Sequence, residues 1–415
     1  MKKNVWILNH YASDMLYNKG GRHYWLAKYL KREGYEPVIF SCNAKHGAFE
    51  NYIDTDALWT KKMAEDINVP FVFVKSSLYK GNGKDRVLNM VRFYWNVQKA
   101  AKEYVETHAK PDVIYASSVH PMTLVAGIKL AKYFGVKCIC EVRDLWPISL
   151  VAYGYLREDS LITKLLYAGE RWIYKHADNI IMTWPGGYEY IQDKGWDKDI
   201  PEGKVCHISN GVDLEEFDTN KIFNNYTDTE IEAKYKNFVY AGSIRHVNNL
   251  DLLIEVAQVL HNKNNNDIRI LIYGSGDERE KLIAKVKALG LNNIVFAGRV
   301  KKQQVPSLLS KAYATVLHNS STSLDKYGQS QNKFFEYLAA GKPILMTYSV
   351  GYSICKQMHC GVEIDEQTPE KIAEGMEMLA KLNEKAYKEY CNNCIITAQR
   401  YHFGNLTKKL IRLFG

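Results

Sequence analysis

The chain has 415 residues, 46% of them hydrophobic and 24% charged, with a net charge of +9. That length accommodates two domains, each able to bury its own core, and the composition excludes an intrinsically disordered chain. The basic excess lies mostly in the first half and suits an anionic partner, either a phosphorylated ligand or an acidic membrane surface; no nucleic-acid-binding module is recognisable, so no nucleic acid is expected as a partner.

Met1-Lys2-Lys3 precedes only a short apolar run, Val5–Leu8, which does not read as a signal peptide. No run approaches the roughly 20 apolar residues of a membrane span. A cytoplasmic location is therefore expected. In chain order, Val5–Leu8, Pro37–Ser41, Phe71–Val74, Val113–Ala116, Lys137–Val142 and Asn179–Thr183 read as buried parallel strands. Gly21–Glu33, Lys84–His108, Met122–Phe134 and Ser160–Ala177 read as the helices between them. A second series follows Val205–Ile208, with strands expected at Asn237–Tyr240, Arg269–Tyr273, Ile294–Phe296, Ala314–Leu317, Ile344–Met346 and Gly361–Ile364. Its helices are expected at Asn249–His261, Glu278–Leu289, Gln304–Ser310, Asn332–Ala340 and Pro369–Lys381. Such alternation predicts two α/β domains, each a doubly wound parallel sheet, over residues 1–204 and 205–383. A last helix in 384–415 continues from the second domain and is free to cross back to the first. The eight cysteines are scattered, and the Cys391/Cys394 pair has no second ligand pair at zinc spacing, so reduced structural thiols and no metal are expected.

Open parallel sheets bind ligands beyond the carboxyl ends of their strands, so the loops there carry the candidate chemistry. Gly20-Gly21-Arg22 opens a helix, and its glycines would admit a substrate close to the backbone; it lacks the GxGxxG pattern of dinucleotide-binding dehydrogenases. His120, in Ser117-Ser118-Val119-His120-Pro121, stands either beside an acceptor or at the cap of the next helix. Arg143 and Asp144 end another strand, either as a structural ion pair or with Asp144 contacting a hydroxyl. In the second half, Gly242-Ser243-Ile244-Arg245, Gly274-Ser275-Gly276 and Gly298-Arg299 follow three strands. Guanidinium groups there suit phosphate.

The stretch from Tyr327 to Leu345 is the most specific. A polar loop, Gly328-Gln329-Ser330-Gln331-Asn332, feeds a helix carrying Lys333 and Glu336, which ends at Ala339-Ala340-Gly341. Such a helix N-terminus presents unpaired N–H groups to an anion, and one turn in a carboxylate can accept hydrogen bonds from sugar hydroxyls. The plainer alternative is a βα turn with a solvated glutamate. Between Lys80 and Lys102, six basic residues (Lys80, Lys84, Arg86, Arg92, Lys99, Lys102) accompany an apolar stripe of Val87, Met90, Val91, Tyr94 and Val97. This helix is either an interfacial membrane anchor or a helix packed on its sheet.

Ser330-Gln331-Asn332-Lys333 with Glu336, together with Arg143-Asp144-Leu145-Trp146-Pro147, resembles motifs of the family 4 retaining glycosyltransferases. The nearest resemblance is to the bacterial surface-polysaccharide branch similar to N-acetyl-fucosamine transferases. It extends nearly end to end and implies a GT-B fold, two Rossmann-like domains facing across a cleft. It implies transfer of a sugar from a nucleotide sugar, of UDP-N-acetylhexosamine type, to a lipid-linked or saccharide acceptor, without a metal or other cofactor. Glu336 would bind the nucleotide ribose. Gln329, Ser330 and Asn332 would hold the sugar, because the family's first glutamate falls on Gly328. Gly242, Ser243, Gly274, Gly298 and Arg299 would line the donor site, Arg299 either stacking on the nucleotide base or holding its loop, and Gly20, Gly21 and Arg22 the acceptor side. Asp144 and His120 would orient the acceptor hydroxyl. The family's phosphate-binding arginine and lysine fall on Ser243 and Asn248, leaving Arg245 and Lys333 to stabilise the leaving diphosphate. The branch's lipid-linked acceptors would place the enzyme on the inner face of the membrane. A UDP-sugar 2-epimerase and a non-catalytic sugar-nucleotide-binding subunit are the alternative readings.

Overall fold

The computed structural model describes residues 3–415 except 47, 82 and 119. Two compact units divide the chain: residues 3–209 with Phe403–Gly415, and Asn210–His402. The first holds β1 (Asn4–Leu8), β2 (Glu36–Cys42), β3 (Trp59–Ala64), β4 (Val69–Val74), β5 (Val113–Ser117), β6 (Lys137–Val142), β7 (Asn179–Met182) and β8 (Val205–His207). They form one sheet in the order β3-β4-β2-β1-β5-β6-β7-β8, parallel except for β3 against β4. β1 lies between β2 and β5, with Trp6 opposite Val38 and Ile114. Val5, Trp6, Ile7 and Leu8 are fully buried, as a strand covered by helices on both faces requires. The chain winds outward from β1 in one direction and then in the other from β5, so the switch point lies at the carboxyl ends of these two strands.

The second unit has β9 (Lys236–Ala241), β10 (Ile268–Tyr273), β11 (Ile294–Gly298), β12 (Ala314–Leu317), β13 (Ile344–Met346) and β14 (Gly361–Glu363). All six are parallel, in the order β11-β10-β9-β12-β13-β14, with the switch point between β9 and β12. Side chains alternate between two cores. Phe238, Tyr240, Ile270, Ile272 and Val316 enter one; Val239, Leu271, Tyr273, Leu317 and Met346 enter the other.

Three features differ from the sequence expectation. The boundary falls at 209/210 rather than 204/205, because Val205–His207 pairs with β7 and completes the first sheet. The expected last helix is two, Glu384–Arg400 in the second unit and Phe403–Ile411 in the first, where it packs on Arg22–Arg32. β3 carries no apolar run; it is a half-exposed edge strand with Lys61 and Lys62 in solvent, a common way of blunting a sheet edge.

The helix Leu161–His176 begins at a Ser160 cap whose Oγ accepts from the Thr163 N–H, and it buries Glu170. Tyr174 and Tyr190 donate to Glu170 at 2.6 and 2.8 Å. Burial outweighs these bonds and pushes the Glu170 pKa up to about 8. The native state then holds a proton that the unfolded chain releases near pH 4.5, so this group destabilises the fold increasingly from about pH 4.5 to 8. Glu170→Gln should therefore gain stability relative to the parent between pH 5 and pH 8, read as the shift in urea midpoint. A pH-independent difference would mean that Glu170 is charged in the fold.

Candidate functional site

In the second unit, the loops leaving β9, β10 and β11 are laced by their backbones. The Gly242 N–H donates to the Tyr273 carbonyl at 2.9 Å, Ile244 to Ser275 at 3.0 Å, and Gly274 to Gly298 at 2.8 Å. The glycines serve this lacing directly. A Cβ on Gly274 would lie 1.8 Å from the Gly242 carbonyl oxygen, and one on Gly276 would lie 1.8 Å from that of Ile244. Close approach of chain to chain, rather than of ligand to chain, accounts for both residues.

The helix Asn332–Ala340 is bound to the end of β9. Tyr337 Oη accepts from the Ala241 N–H at 3.0 Å and donates to the Ala241 carbonyl at 3.2 Å. One turn earlier on the same face, Lys333 Nζ donates to Tyr240 Oη at 3.3 Å and lies 4.5 Å from the centre of that ring. Burial lowers the Lys333 pKa to about 8. Glu336 is half-buried, and among the described residues its carboxylate has no hydrogen-bond partner; burial raises its pKa, with Lys302 opposing. No side chain caps the helix N-terminus. A desolvated cation, an unpaired carboxylate and open backbone N–H groups thus stand within one turn of one another.

The other expected donor residues divide. Gly242 follows β9, Gly298 ends β11, and Gln329 and Asn332 lie in the approach to and at the start of the helix Asn332–Ala340, with Asn332 exposed. Gln329 accepts from the Gln331 N–H at 3.2 Å. Ser330 is engaged by the protein itself, since its Oγ accepts from the Asn210 N–H at 2.7 Å and its carbonyl accepts from the Asn210 amide. Ser243 donates to Asn248 at 2.9 Å, and Asn248 reaches Asn319 at 3.4 Å. A neutral pair therefore occupies the places where the resemblance implies two cations. Arg245 and Arg299 are exposed on their loops.

In the first unit, Arg22 was expected at the acceptor but is a structural post. It is buried, and its Nε donates to Glu141 at 2.7 Å while Nη2 reaches the Ile208 carbonyl at 2.9 Å and Nη1 the Ser209 carbonyl. His23 lies 3.2 Å from the same carboxylate, Ser117 donates to it at 2.8 Å, and Tyr115 donates as well. Burial alone would raise the Glu141 pKa; Arg22 and His23 more than reverse that and hold it well below the usual value. Gly21 has φ +117°, and a Cβ there would meet Met15 at 3.0 Å. Gly20, also expected at the acceptor, is buried.

His120 occupies the N-cap position of the helix Pro121–Phe134, but its side chain makes no capping bond there. Its Nε2 lies 2.7 Å from Nδ1 of His10, across the β1/β5 switch point, and its Nδ1 has no partner. Val119 lies outside the described residues. Burial, reinforced by Arg86, lowers the His120 pKa to about 3, so this imidazole is a neutral hydrogen-bonding group. Asp144 is exposed, and the protein around its carboxyl raises the pKa against the pull of Arg143. No ion pair joins Asp144 to Arg143, whose Nε is buried without a partner. The Arg143 carbonyl accepts from Trp184 at 2.9 Å and from Thr183 at 3.3 Å, which fixes the segment carrying Asp144. Sequence reasoning missed His10; its position directly after the first strand was the available signal.

The basic helix forms as Lys84–Tyr104. Met90, Phe93, Tyr94 and Val97 are buried, so most of the expected stripe packs against protein. Its solvent side exposes Val87, Leu88 and Trp95 beside Lys84, Arg92 and Lys99. Among the described residues no helix is long and apolar enough to cross a membrane, and no group of three His, Cys, Asp or Glu side chains is placed to hold a metal ion.

Residues 24–216 match the family described as Glycosyltransferase Family 4, and residues 223–400 match that described as Glycosyl transferases group 1. The chain belongs to the GT-B glycosyltransferases. Both matched families are described as glycosyltransferases, which supports the transferase reading over the epimerase one. D-rhamnosyltransferase WbpZ from Pseudomonas aeruginosa is 31% identical over 108 residues, 26% of this chain and 26% of that relative. Sucrose-phosphate synthase from Thermosynechococcus elongatus has the same fold, with TM-score 0.71, 13% identity and coverage of 100% of this chain and 98% of that one. HepE from Anabaena, solved in complex with UDP and glucose, has TM-score 0.63, 13% identity and coverage of 99% and 98%.

Removing one partner of a buried charge pair leaves the other unpaired, at a cost of about 3–5 kcal/mol. Arg22→Ala should therefore lower unfolding stability by about that amount, measured by urea denaturation. A variant as stable as the parent would return Arg22 to the acceptor site.

Proposed function

We propose that this glycosyltransferase moves a sugar, with retention of configuration, from a UDP-activated hexose of N-acetylhexosamine type. The acceptor is lipid-linked or saccharide, and the product enters a bacterial surface polysaccharide such as a capsule. One observation carries the donor side: Glu336, an unpaired half-buried carboxylate, stands one turn from Lys333 at an uncapped helix N-terminus. The carboxylate suits ribose hydroxyls; the cation and N–H groups suit a diphosphate on which charge builds as it departs. Arg245 adds an exposed cation from the β9 loop. The solved structure of HepE with UDP and glucose supports UDP as the nucleotide. The name of WbpZ supports a deoxyhexose as an alternative sugar, which a panel of UDP- and GDP-activated sugars decides.

On the acceptor side, Asp144 holds the attacking hydroxyl and His120 hydrogen-bonds beside it. The departing diphosphate takes the hydroxyl proton, so no protein nucleophile is assigned. Lys333 supplies positive charge where a metal otherwise would, and activity should persist in EDTA. The enzyme works in the cytoplasm, peripherally on the membrane, through the exposed Val87, Leu88 and Trp95 and their basic neighbours. The neutral Ser243–Asn248 pair favours a second reading, a subunit that binds nucleotide sugar without turning it over. UDP release that depends on acceptor separates the two.

Glu336→Ala should weaken UDP binding by about tenfold or more, as expected for loss of a hydrogen bond to a charged group. Titration calorimetry reads this, and an unchanged Kd would remove Glu336 from the ribose. Lys333 is cationic below about pH 8 and loses its charge above it. UDP affinity should therefore fall as pH rises from 7 to 9, and Lys333→Arg should flatten that dependence. A parent whose affinity is level across this range would place the phosphate cation elsewhere.

A further inference from the structure

A lysine drawn out of water ordinarily finds a carboxylate. Lys333 is half-buried, and among the described residues no acid pairs with it. Its one polar partner is Tyr240, whose Oη accepts from Nζ at 3.3 Å and whose ring centre lies 4.5 Å from the same nitrogen. Tyr240 is fully buried as the penultimate residue of β9, and burial raises its pKa, so the hydroxyl stays neutral and is no counter-ion. The same hydroxyl donates to the Ser243 carbonyl at 2.8 Å. That donation sets the direction of the chain. With its one proton committed to Ser243, the oxygen turns its lone pairs to the ammonium, and each bond polarises the other.

The loop is built around this hydroxyl. A Cβ on Gly242 would lie 2.9 Å from Tyr240 Oη, so glycine there leaves the oxygen its space. The helix is fixed from its own side by Tyr337, one turn beyond Lys333, which holds the N–H and carbonyl of Ala241 at 3.0 and 3.2 Å. Two tyrosines, one from each element, thus set Lys333 against the end of β9. On the loop itself, Ser243 and Asn248 carry no charge and bond each other at 2.9 Å. The Ser243 N–H has no acceptor among the described residues. Of the other titratable groups nearby, Glu336 and Tyr337 share the helix with Lys333, Lys302 acts on Glu336, and His318 follows β12. Burial, with Lys333 adding to it, lowers the His318 pKa to about 4, so His318 is neutral.

We propose that Tyr240 is a positioning residue for the transfer: its hydroxyl holds the Lys333 ammonium at the departing diphosphate and yokes it to the β9 loop, where Ser243 and Asn248 supply no cation. The inference rests on the reading of Lys333 as the phosphate cation and deepens it, by naming what keeps that cation charged and aimed. A lysine kept only for stacking on an aromatic face would need the ring but not the hydroxyl. That difference selects the substitution.

Tyr240→Phe keeps the buried ring and removes one oxygen, so the fold should survive; thermal melting checks this. In the ligand-free protein, the side-chain NMR signal of Lys333, identified by its disappearance in Lys333→Arg, should titrate at about pH 8. Loss of an acceptor from a charged donor should move that midpoint down by about one pH unit in Tyr240→Phe. With the charged form as the one that grips the diphosphate, the apparent Kd for UDP should rise about fivefold at pH 8 and less than about twofold at pH 6.5. The NMR titration involves no UDP, so the two claims fail separately. An unmoved Lys333 midpoint overturns the proposal. So does a loss of UDP affinity equal at both pH values, which marks a merely structural role. A midpoint that moves while UDP affinity stays level overturns the reading of Lys333 as the phosphate cation, and the role of Tyr240 in transfer with it.

Discussion

The carboxylate of Glu141 is the point on which the first unit turns. It is completely buried, and it survives there as a charge because Arg22, His23, Tyr115 and Ser117 all direct hydrogen bonds or charge at it. Those partners come from β5 and from the helix Arg22–Arg32, and Arg22 also grips the carbonyls of Ile208 and Ser209 as the chain leaves the unit. Glu141 itself is the penultimate residue of β6, two residues before Arg143. The segment bearing Asp144 is therefore located by an electrostatic knot in the strand that leads into it. An anion of this kind contributes little net stability, since desolvation offsets most of the attraction; its effect is to forbid other arrangements of the strands around it.

The second unit reaches similar precision with backbone bonds. Three loops laced through Gly242, Gly274 and Gly298 form a floor with little room for side chains, and Tyr337 ties the following helix to β9. This rigid floor explains how Lys333 can be held in a place costly for a lysine. Its ammonium lies against the face and hydroxyl of Tyr240, partial compensation for lost water. Such a group would suit the diphosphate of the proposed donor.

Much of this architecture was legible in the residues. The central strands are buried on both faces and so appear as unbroken apolar runs, while the polar loop before Asn332 announces the helix N-terminus that bears Lys333 and Glu336. What escaped was pairing at a distance. Arg22 meets Glu141 across 119 positions, His10 meets His120 across 110, and Ser330 meets Asn210 across 120. Each side chain reads as a free donor or acceptor until the fold brings its partner. β3 escaped for a different reason: an edge strand with lysines outward has no apolar period to detect. The stripe of Lys84–Tyr104 was visible, but periodicity cannot say whether an apolar face meets protein or something else.

The division of the polypeptide bears on how the enzyme can be taken apart. The first unit is completed by Phe403–Ile411, which packs on Arg22–Arg32, so neither unit is a simple prefix or suffix of the chain. The outgoing and returning segments run side by side, with the Val212 N–H donating to the Tyr401 carbonyl at 3.1 Å and the Leu214 N–H to His402 Nδ1 at 3.2 Å. A ribosome releasing this protein cannot finish the first unit until the second has been synthesised. The amino-terminal sheet must wait, partly uncovered along Arg22–Arg32, for Phe403–Ile411 to emerge. Cutting the gene at the unit boundary would recreate that waiting state permanently, whereas a circular permutation that fuses the tail to the start would make each unit continuous.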